Sequence, residues 1–369
     1  MKKANNLWTA LSNSPFHIAK RDDIVWWKAW IIRIVSVLLA LVVCGIITVA
    51  LTKINPVKMY VSMVEGAIGT PRLRWNLLQN TAILLCVSLA VTPAFKMKFW
   101  NIGAGGQILI GGLATAFCMI YLGGKLSTPL LILVMFITSV VAGAVWGLVP
   151  AFFKTKFNSN ETLFTLMMNY IAIQIVAYFT LEWSVPKGSG TPRVMEFGHL
   201  PTLFGQQYFI NILVVAVITI IMYVYLKYSK QGYEISVVGE SENTAKYIGI
   251  NVKKVVLRTM AISGAICGIA GFLLVAGTDH TIKGETAGGR GFTAIMVSWL
   301  AKFNPVFMIL TSLLIVFLQK GASKISEVYR LNSSFSDIIT GIIIFFIIGS
   351  EFFINYKIKL NKKEKEENV

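Results

Sequence analysis

The stretch from Trp30 to Leu51, WIIRIVSVLLALVVCGIITVAL, decides the fold. It is apolar apart from Arg33, Ser36 and Thr48, and it is long enough to cross the roughly 30 Å hydrocarbon layer, which takes about 20 residues. Three tryptophans, Trp26, Trp27 and Trp30, stand at its start, where aromatic side chains mark a membrane interface. The run is too long and begins too late for a cleaved signal peptide, and no small-x-small site follows. It reads as a retained span.

Similar runs recur along all 369 residues. Hydrophobic residues make up 55% of the chain and charged residues only 14%, with a mean hydropathy of +0.68. Soluble domains carry about 25% charged residues, so a water-soluble core does not account for this composition. The sequence predicts an all-α integral membrane protein of about ten transmembrane helices, some short or broken.

The expected spans are Trp30–Leu51, Asn76–Phe95, Asn101–Leu122, Leu126–Pro150, Thr162–Trp183, Phe209–Tyr228, Val255–Gly277, Phe292–Ala301, Val306–Leu318 and Phe335–Phe353. The eighth and ninth are short, with Lys302, Asn304 and Pro305 between them, and read as a broken pair lined by protein or water. The division is then a cytoplasmic N-terminal segment (1–29), a membrane domain (30–354) and a cytoplasmic tail (355–369). The tail mixes Lys with Glu and reads as solvated.

Charge sets the orientation. The formal net charge is +17, but the basic residues are scattered between apolar runs, so no nucleic-acid face forms and membrane lipid is the expected partner. With the N-terminus inside, about 20 Lys and Arg fall on inner segments and about 12 on outer ones, as the positive-inside rule requires. Both termini are then expected in the cytoplasm.

Four segments carry polar chemistry. The first, Asn101-Ile-Gly-Ala-Gly-Gly-Gln107, crowds glycines and two amides at the start of an apolar run. Asn101 and Gln107 either line a polar pathway or close-pack a helix start. The second, Asn160-Glu-Thr-Leu-Phe-Thr-Leu-Met-Met-Asn-Tyr170, offers Asn160 as a helix cap and places Thr165 and Asn169 on one helix face, for a pathway or for interhelical hydrogen bonds.

The third segment, Gly232–Ile250, lies inside between spans six and seven. Ser241 is placed to cap a short helix ending at Gly249, and the loop reads as a coupling helix or a simple connector. The fourth, Gly288-Gly-Arg-Gly-Phe-Thr-Ala-Ile-Met-Val297, is a glycine-rich turn before a short helix. Its start and that of span three share a weak likeness, as two halves of a duplication would. Span seven carries Gly264, Gly268 and Gly271, a face for close helix packing.

Other chemistry is missing from the sequence. No GxxxxGK[ST], HExxH or GxSxG occurs. Cys44, Cys86, Cys118 and Cys267 lie in apolar runs and read as packing residues. His17, His199 and His280 are far apart in sequence and read as polar surface residues rather than metal ligands. Few carboxylates lie mid-span, against a proton- or sodium-coupled mechanism. Cofactors and metals are not expected.

The four segments, in this order, resemble the membrane-spanning permease of bacterial ATP-binding-cassette importers, in the branched-chain amino acid and ribose superfamily. Within it the chain is most similar to the simple-sugar and nucleoside branch. That branch carries Asn-Ile-Gly-x-x-Gly-Gln, matched at Asn101–Gln107, and Asn-Glu-x-x-x-Thr-Leu-Met-x-Asn-Tyr, matched at Asn160–Tyr170. Its inner loop is matched by Gly239, Ala245, Tyr247, Gly249 and Ile250, with Ser241 where Asn is usual and Thr244 where Ala is usual. Its Gly-x-Gly-Phe-x-x-Ile-x-Val is matched at Gly289–Val297, but Ser298, Trp299, Leu300 and Ala301 replace the usual Ala-Leu-Leu-Gly.

The likeness runs from about Gln79 to Ile354. It implies a permease subunit for a nucleoside or simple sugar, with Asn101, Gln107, Thr165 and Asn169 along the pathway. It also implies ATP hydrolysis on a separate ATPase subunit docked at Gly239, Ser241, Ala245, Tyr247 and Gly249. A second, non-identical permease and an extracellular substrate-binding lipoprotein complete the set, at the bacterial cytoplasmic membrane. The alternative class is a non-transport membrane scaffold.

Overall fold

The computed structural model describes residues 16–21, 25–53 and 55–360. Most of the expected N-terminal segment (1–15 and 22–24) and the end of the expected tail (361–369) lie outside the described residues. The elements are β1 (Phe16–Lys20), α1 (Trp26–Thr52), α2 (Pro56–Ile68), α3 (Pro71–Lys96), α4 (Ala104–Leu122), α5 (Thr128–Phe157), α6 (Glu161–Trp183) and α7 (Phe209–Tyr228). They continue with α8 (Lys230–Glu240), α9 (Glu242–Tyr247), α10 (Val252–Leu274, extended by a π-turn to Asp279), α11 (Arg290–Leu300), α12 (Pro305–Val328), α13 (Ser333–Asn355) and β2 (Tyr356–Leu360).

Among the described residues nine helices are long and apolar enough to cross a membrane, against the ten expected. The difference lies in the broken pair. Helix α11 has only 11 residues, whereas α12 has 24 and is a full-length span rather than a short one. Lys302 and Phe303, with φ of 50° and 58°, turn the chain between them, and Asn304 Oδ1 accepts the Val306 N–H at 3.0 Å to start α12. Helix α5 continues to Phe157, past Pro150, the end of the expected span. Membrane helices tolerate proline because their neighbours re-satisfy the freed backbone.

The chain forms two compact units, residues 1–66 with 318–369, and residues 67–317. In the first, β1 pairs antiparallel with β2, Lys20 opposite Tyr356 and Phe16 opposite Leu360, a pairing the all-helical expectation did not contain. Arg21 N–H continues it to Asn355 O at 2.8 Å, so the start of α1 and the end of α13 share one end of this unit. Helix α2, unforeseen in the sequence, buries Met59 and Met63 and exposes Val57, Val61 and Val64. Lys58 and Glu65 are exposed beside those valines, so the helix suits a membrane interface, apolar side chains towards lipid and charges towards water.

Between α1 and α13, Arg33 Nη2 and Nε lie 2.6 and 3.0 Å from Glu351 Oε1, with both side chains only partly exposed. Removing one member takes a charge-assisted bond from the other, while removing both leaves no charge to compensate. Glu351→Leu alone is therefore expected to cost about 3 kcal/mol, and the Arg33→Leu/Glu351→Leu pair less than either single change. Unfolding of the four chains in detergent measures the cycle.

In the second unit α3 is central, and every residue from Thr81 to Phe95 is buried. An apolar helix wrapped on all sides belongs in a core. The outer helices bury one stripe each. Helix α5 buries Leu131, Met135, Ser139, Gly143 and Gly147 at four-residue steps and exposes Leu133, Ile137, Val141 and Val145. Contiguous apolar surface of this kind suits lipid or another membrane protein rather than water.

The expected glycine face on α10 is the seam of this unit. A methyl on Gly264 would lie 2.2 Å from Gly143 O, on Gly268 2.2 Å from Ser139 O, and on Gly271 2.2 Å from Ile108 O. Three backbones thus approach closely, α5 on one side of α10 and α4 on another. The four cysteines are free and buried, as packing residues.

Candidate functional site

Two breaks in the helical pattern shape the interior of the second unit. The first follows α3. The chain leaves Lys96, whose carbonyl a methyl on Gly239 of α8 would meet at 2.1 Å, and reverses through Lys98, at φ 60°. By Asn101 it is back at depth: Asn101 Nδ2 donates to Ser263 Oγ at 3.2 Å. Ser263 stands 11 residues into α10, about 16 Å at 1.5 Å per residue.

The second break follows the π-turn of α10. Residues 280–289 descend beside α6, where Thr180 Oγ1 donates to Ile282 O at 3.3 Å. Arg290 Nη2 then donates to Asn80 Oδ1 at 3.2 Å, and Ser298 Oγ to Ser88 O at 3.0 Å. Helix α11 therefore lies along the second half of α3 and points the same way. Its first turn abuts that of α4, since a methyl on Gly291 would lie 2.7 Å from Gly105 N. The two glycine-rich starts that look alike in sequence meet here, N-terminus to N-terminus.

All four residues picked as pathway candidates gather on the first break. Asn101 Oδ1 accepts the Gly103 N–H at 3.1 Å and Gln107 Nε2 at 3.3 Å. Thr165 Oγ1 accepts the Ile102 N–H at 3.2 Å and lies 2.8 Å from Glu161 O. Asn169 is bidentate: Oδ1 accepts the Gly106 N–H at 2.6 Å, and Nδ2 donates to Ile102 O at 2.7 Å. All four side chains are buried. Among the described residues Gln107 Oε1 has no partner.

The cluster is a clamp. A non-helical backbone inside a membrane protein needs every N–H and C=O satisfied, and α6 supplies side chains in place of helical partners. Asn160 sets the position of α6, accepting the N–H groups of Thr162 and Leu163 at 3.0 and 3.2 Å, with Glu161 at the positive helix end bonded to Lys154 at 2.9 Å. Contact between a passing solute and these amides requires the clamp to open.

Asn169→Ala is expected to orphan the Gly106 N–H and the Ile102 carbonyl together and to cost about 3 kcal/mol. Asn169→Asp keeps the acceptor and loses the donor, and falls between alanine and wild type. Thermal unfolding in detergent gives the order.

The inner loop is a second site. Helix α9 is short and fully capped. Ser241 Oγ accepts the Thr244 N–H at 3.2 Å. At the other end Ile250 N–H bonds to Ala245 O at 2.9 Å and Gly249 N–H to Lys246 O at 3.1 Å, with Gly249 at φ 82°, the paired bonds of a left-handed helix stop. The five coupling candidates divide. Tyr247 is 92% exposed and Gly249 is exposed, while Ser241 is half-buried.

Gly239 and Ala245 are buried. Gly239 lies against the Lys96 backbone, and Ala245 sits among Ala94, Ile235, Val238, Val255 and Met260 of this same chain. A small residue at 245 is therefore required by internal packing, and no groove of another protein is needed to explain it.

His199 and His280, treated separately in the sequence, stack at 3.9 Å. They tie the loop after α6 to the end of α10, with Met195 N–H bonded to His280 O at 2.8 Å. Burial first, and then a charge on His199, hold the His280 imidazole below its usual value, against a bond to the Val275 backbone.

A histidine held neutral in the fold binds fewer protons there than in the unfolded chain. Its stabilisation is complete above about pH 6.5 and is lost as pH falls through the lower folded value. The melting temperature in detergent is expected to drop between about pH 7.5 and about pH 5.5, and less so in His280→Asn.

One surface escaped the sequence reading. On the face of α6 opposite the clamp, Tyr170, Gln174 and Tyr178 stand exposed at four-residue spacing. The signal was a mid-span glutamine with a tyrosine one turn away on each side.

Broken helices meeting at depth, held by buried amides inside lipid-suited surfaces, define a multi-pass membrane protein of the permease type. The chain belongs to the family described as branched-chain amino acid transport system / permease component, whose profile matches residues 73–348. It is 27% identical to the glucose ABC transporter permease protein TsgB13 of Haloferax volcanii over 94% of this chain and 94% of that protein. It is 31% identical to the guanosine ABC transporter permease protein NupP of Bacillus subtilis, over 71% and 77%. A third relative, the nucleoside ABC transporter permease protein NupB of Lactococcus lactis, is 25% identical over 79% and 84%.

Proposed function

We propose that the chain is one permease of an ATP-binding-cassette importer and forms part of the pathway for a nucleoside or a simple sugar. The observation that carries this reading is the family match across 73–348, which spans both breaks and the capped inner helix. The names of the relatives, for glucose, guanosine and nucleosides, support the solute class. The chain has no phosphate-binding loop of its own, so it acts as a conduit rather than an enzyme, and ATP belongs to a partner ATPase.

Helix α9 is the proposed docking element, through Tyr247, Gly249 and the exposed Ile248. It lies on the end that carries Lys154, Lys156, Lys227 and Lys230, which the positive-inside rule assigns to the cytoplasm. Both termini belong on that side. Two relatives from one organism, NupP and NupQ of Bacillus subtilis, both resemble the chain, which supports a second, non-identical permease. An extracellular binding lipoprotein delivers the solute.

Affinity purification of the tagged full chain in mild detergent tests the assembly. An ATPase and a second permease are expected to co-purify in fixed proportion. A chain that purifies alone, with no ATP hydrolysis in the preparation, contradicts the reading and favours a scaffold.

A further inference from the structure

We propose that the exposed stripe Tyr170–Gln174–Tyr178 on α6 is the wall of the solute pathway, and that it selects a nucleoside by stacking its base and pairing with the base edge. This rests on the permease reading above and names the substrate class of that site.

The first observation is the position of Gln174. Helix α6 has 23 residues, and Gln174 stands 13 residues after its first and nine before its last. At 1.5 Å per residue that is about 20 and 14 Å from the ends, within the hydrocarbon layer. The side chain is exposed and makes no hydrogen bond to another described residue. A primary amide has two donors and an acceptor with two lone pairs, none of which hydrocarbon can satisfy. Such a group faces water or protein rather than acyl chains.

The second observation is the surroundings. Tyr170 and Tyr178 lie one turn to each side of Gln174, each 62% exposed. With Ile171, Ile175 and Phe179 they line a shallow, open and almost wholly apolar hollow, a surface on which the flat face of a ring can lie. The opposite face of α6 is the clamp, with Thr165 and Asn169 turned inward. One helix therefore holds the broken segment on one side and presents an unpaired amide between two aromatic rings on the other.

The chemistry of the stripe selects the solute. Aromatic rings stack on nucleobases, and an amide offers the donor and acceptor pair that base edges match. A hexose offers hydroxyls but no flat ring of that kind. The unpaired amide also has a use in a permease: it is left open until a solute passes.

Two measurements on the full chain in its own cell membrane, with its partners present, test this. Gln174→Cys is compared with Ile220→Cys on α7, an exposed apolar position. The four native thiols are buried and serve as background. Gln174→Cys is expected to react with a charged, membrane-impermeant thiol reagent at least tenfold faster than Ile220→Cys, and guanosine but not glucose is expected to slow it. Gln174→Leu is expected to lower guanosine uptake at least tenfold through a raised KM, with membrane insertion unchanged.

A thiol at 174 as inert as one at 220, uptake by Gln174→Leu at the wild-type rate, or protection by glucose alone overturns the proposal. Failure of the permease reading is separate: the wild-type chain would then support uptake of neither solute, whatever the labelling at 174.

Discussion

Gly268→Leu is expected to leave almost no folded chain in the membrane. Gly268 is the centre of the seam between α10 and α5, and its Cβ position lies 2.2 Å from Ser139 O and 3.4 Å from the Gly143 Cα. The obstacle is backbone, so no rotamer change relieves it, and the two helices must separate along their length. Overpacking of a tight core costs about 1–3 kcal/mol and more where backbones move. The upper end is a large share of the roughly 5–15 kcal/mol that holds a fold together. Gly349→Leu on α13 is the control, because nothing lies within 4 Å of its Cβ position. Detergent-resistant protein and its melting temperature are the measurements. A Gly268→Leu chain as stable as Gly349→Leu refutes the seam.

Tyr247→Ala is expected to abolish coupled transport without touching the fold. The ring is 92% exposed, so its loss removes no internal packing. Buried aromatic residues dominate docking energies, and a hot-spot tyrosine contributes about 2 kcal/mol, or roughly thirtyfold in affinity. ATP hydrolysis stimulated by the binding protein and solute uptake should fall together, with the amount of chain in the membrane unchanged. Ala245→Trp, by contrast, overfills the chain's own cluster and is expected to lower stability first. Tyr247→Ala at the wild-type uptake rate contradicts docking through α9.

The sequence made the membrane class legible because lipid imposes long apolar runs that nothing else requires. The glycine seam was legible for a similar reason: a line of glycines at helical spacing on α10 has few uses besides close approach. The caps at Asn160 and Ser241, and the left-handed stop at Gly249, followed from local backbone chemistry. The four clamp residues were found as a set, but whether they face a pathway or each other depended on the depth to which Asn101 returns, which no periodicity encodes.

What the sequence hid was non-local. The pairing of residues 16–20 with 356–360 joins segments at opposite ends of the chain. His199 and His280 meet from two loops well separated in the sequence. The true length of α12 was obscured by Gln319, Lys320 and Lys324, polar residues within a helix that the hydropathy pattern cut at Leu318. Burial of Ala245 by this chain's own side chains was invisible because a small residue serves an internal cluster and an external groove equally well.

Uptake of labelled guanosine and labelled glucose by cells with and without the gene tests the central claim most directly. Uptake of guanosine is expected to need the gene, to be competed by unlabelled nucleosides, and to stop when cellular ATP is depleted. Equal uptake of both solutes in the two strains would contradict it.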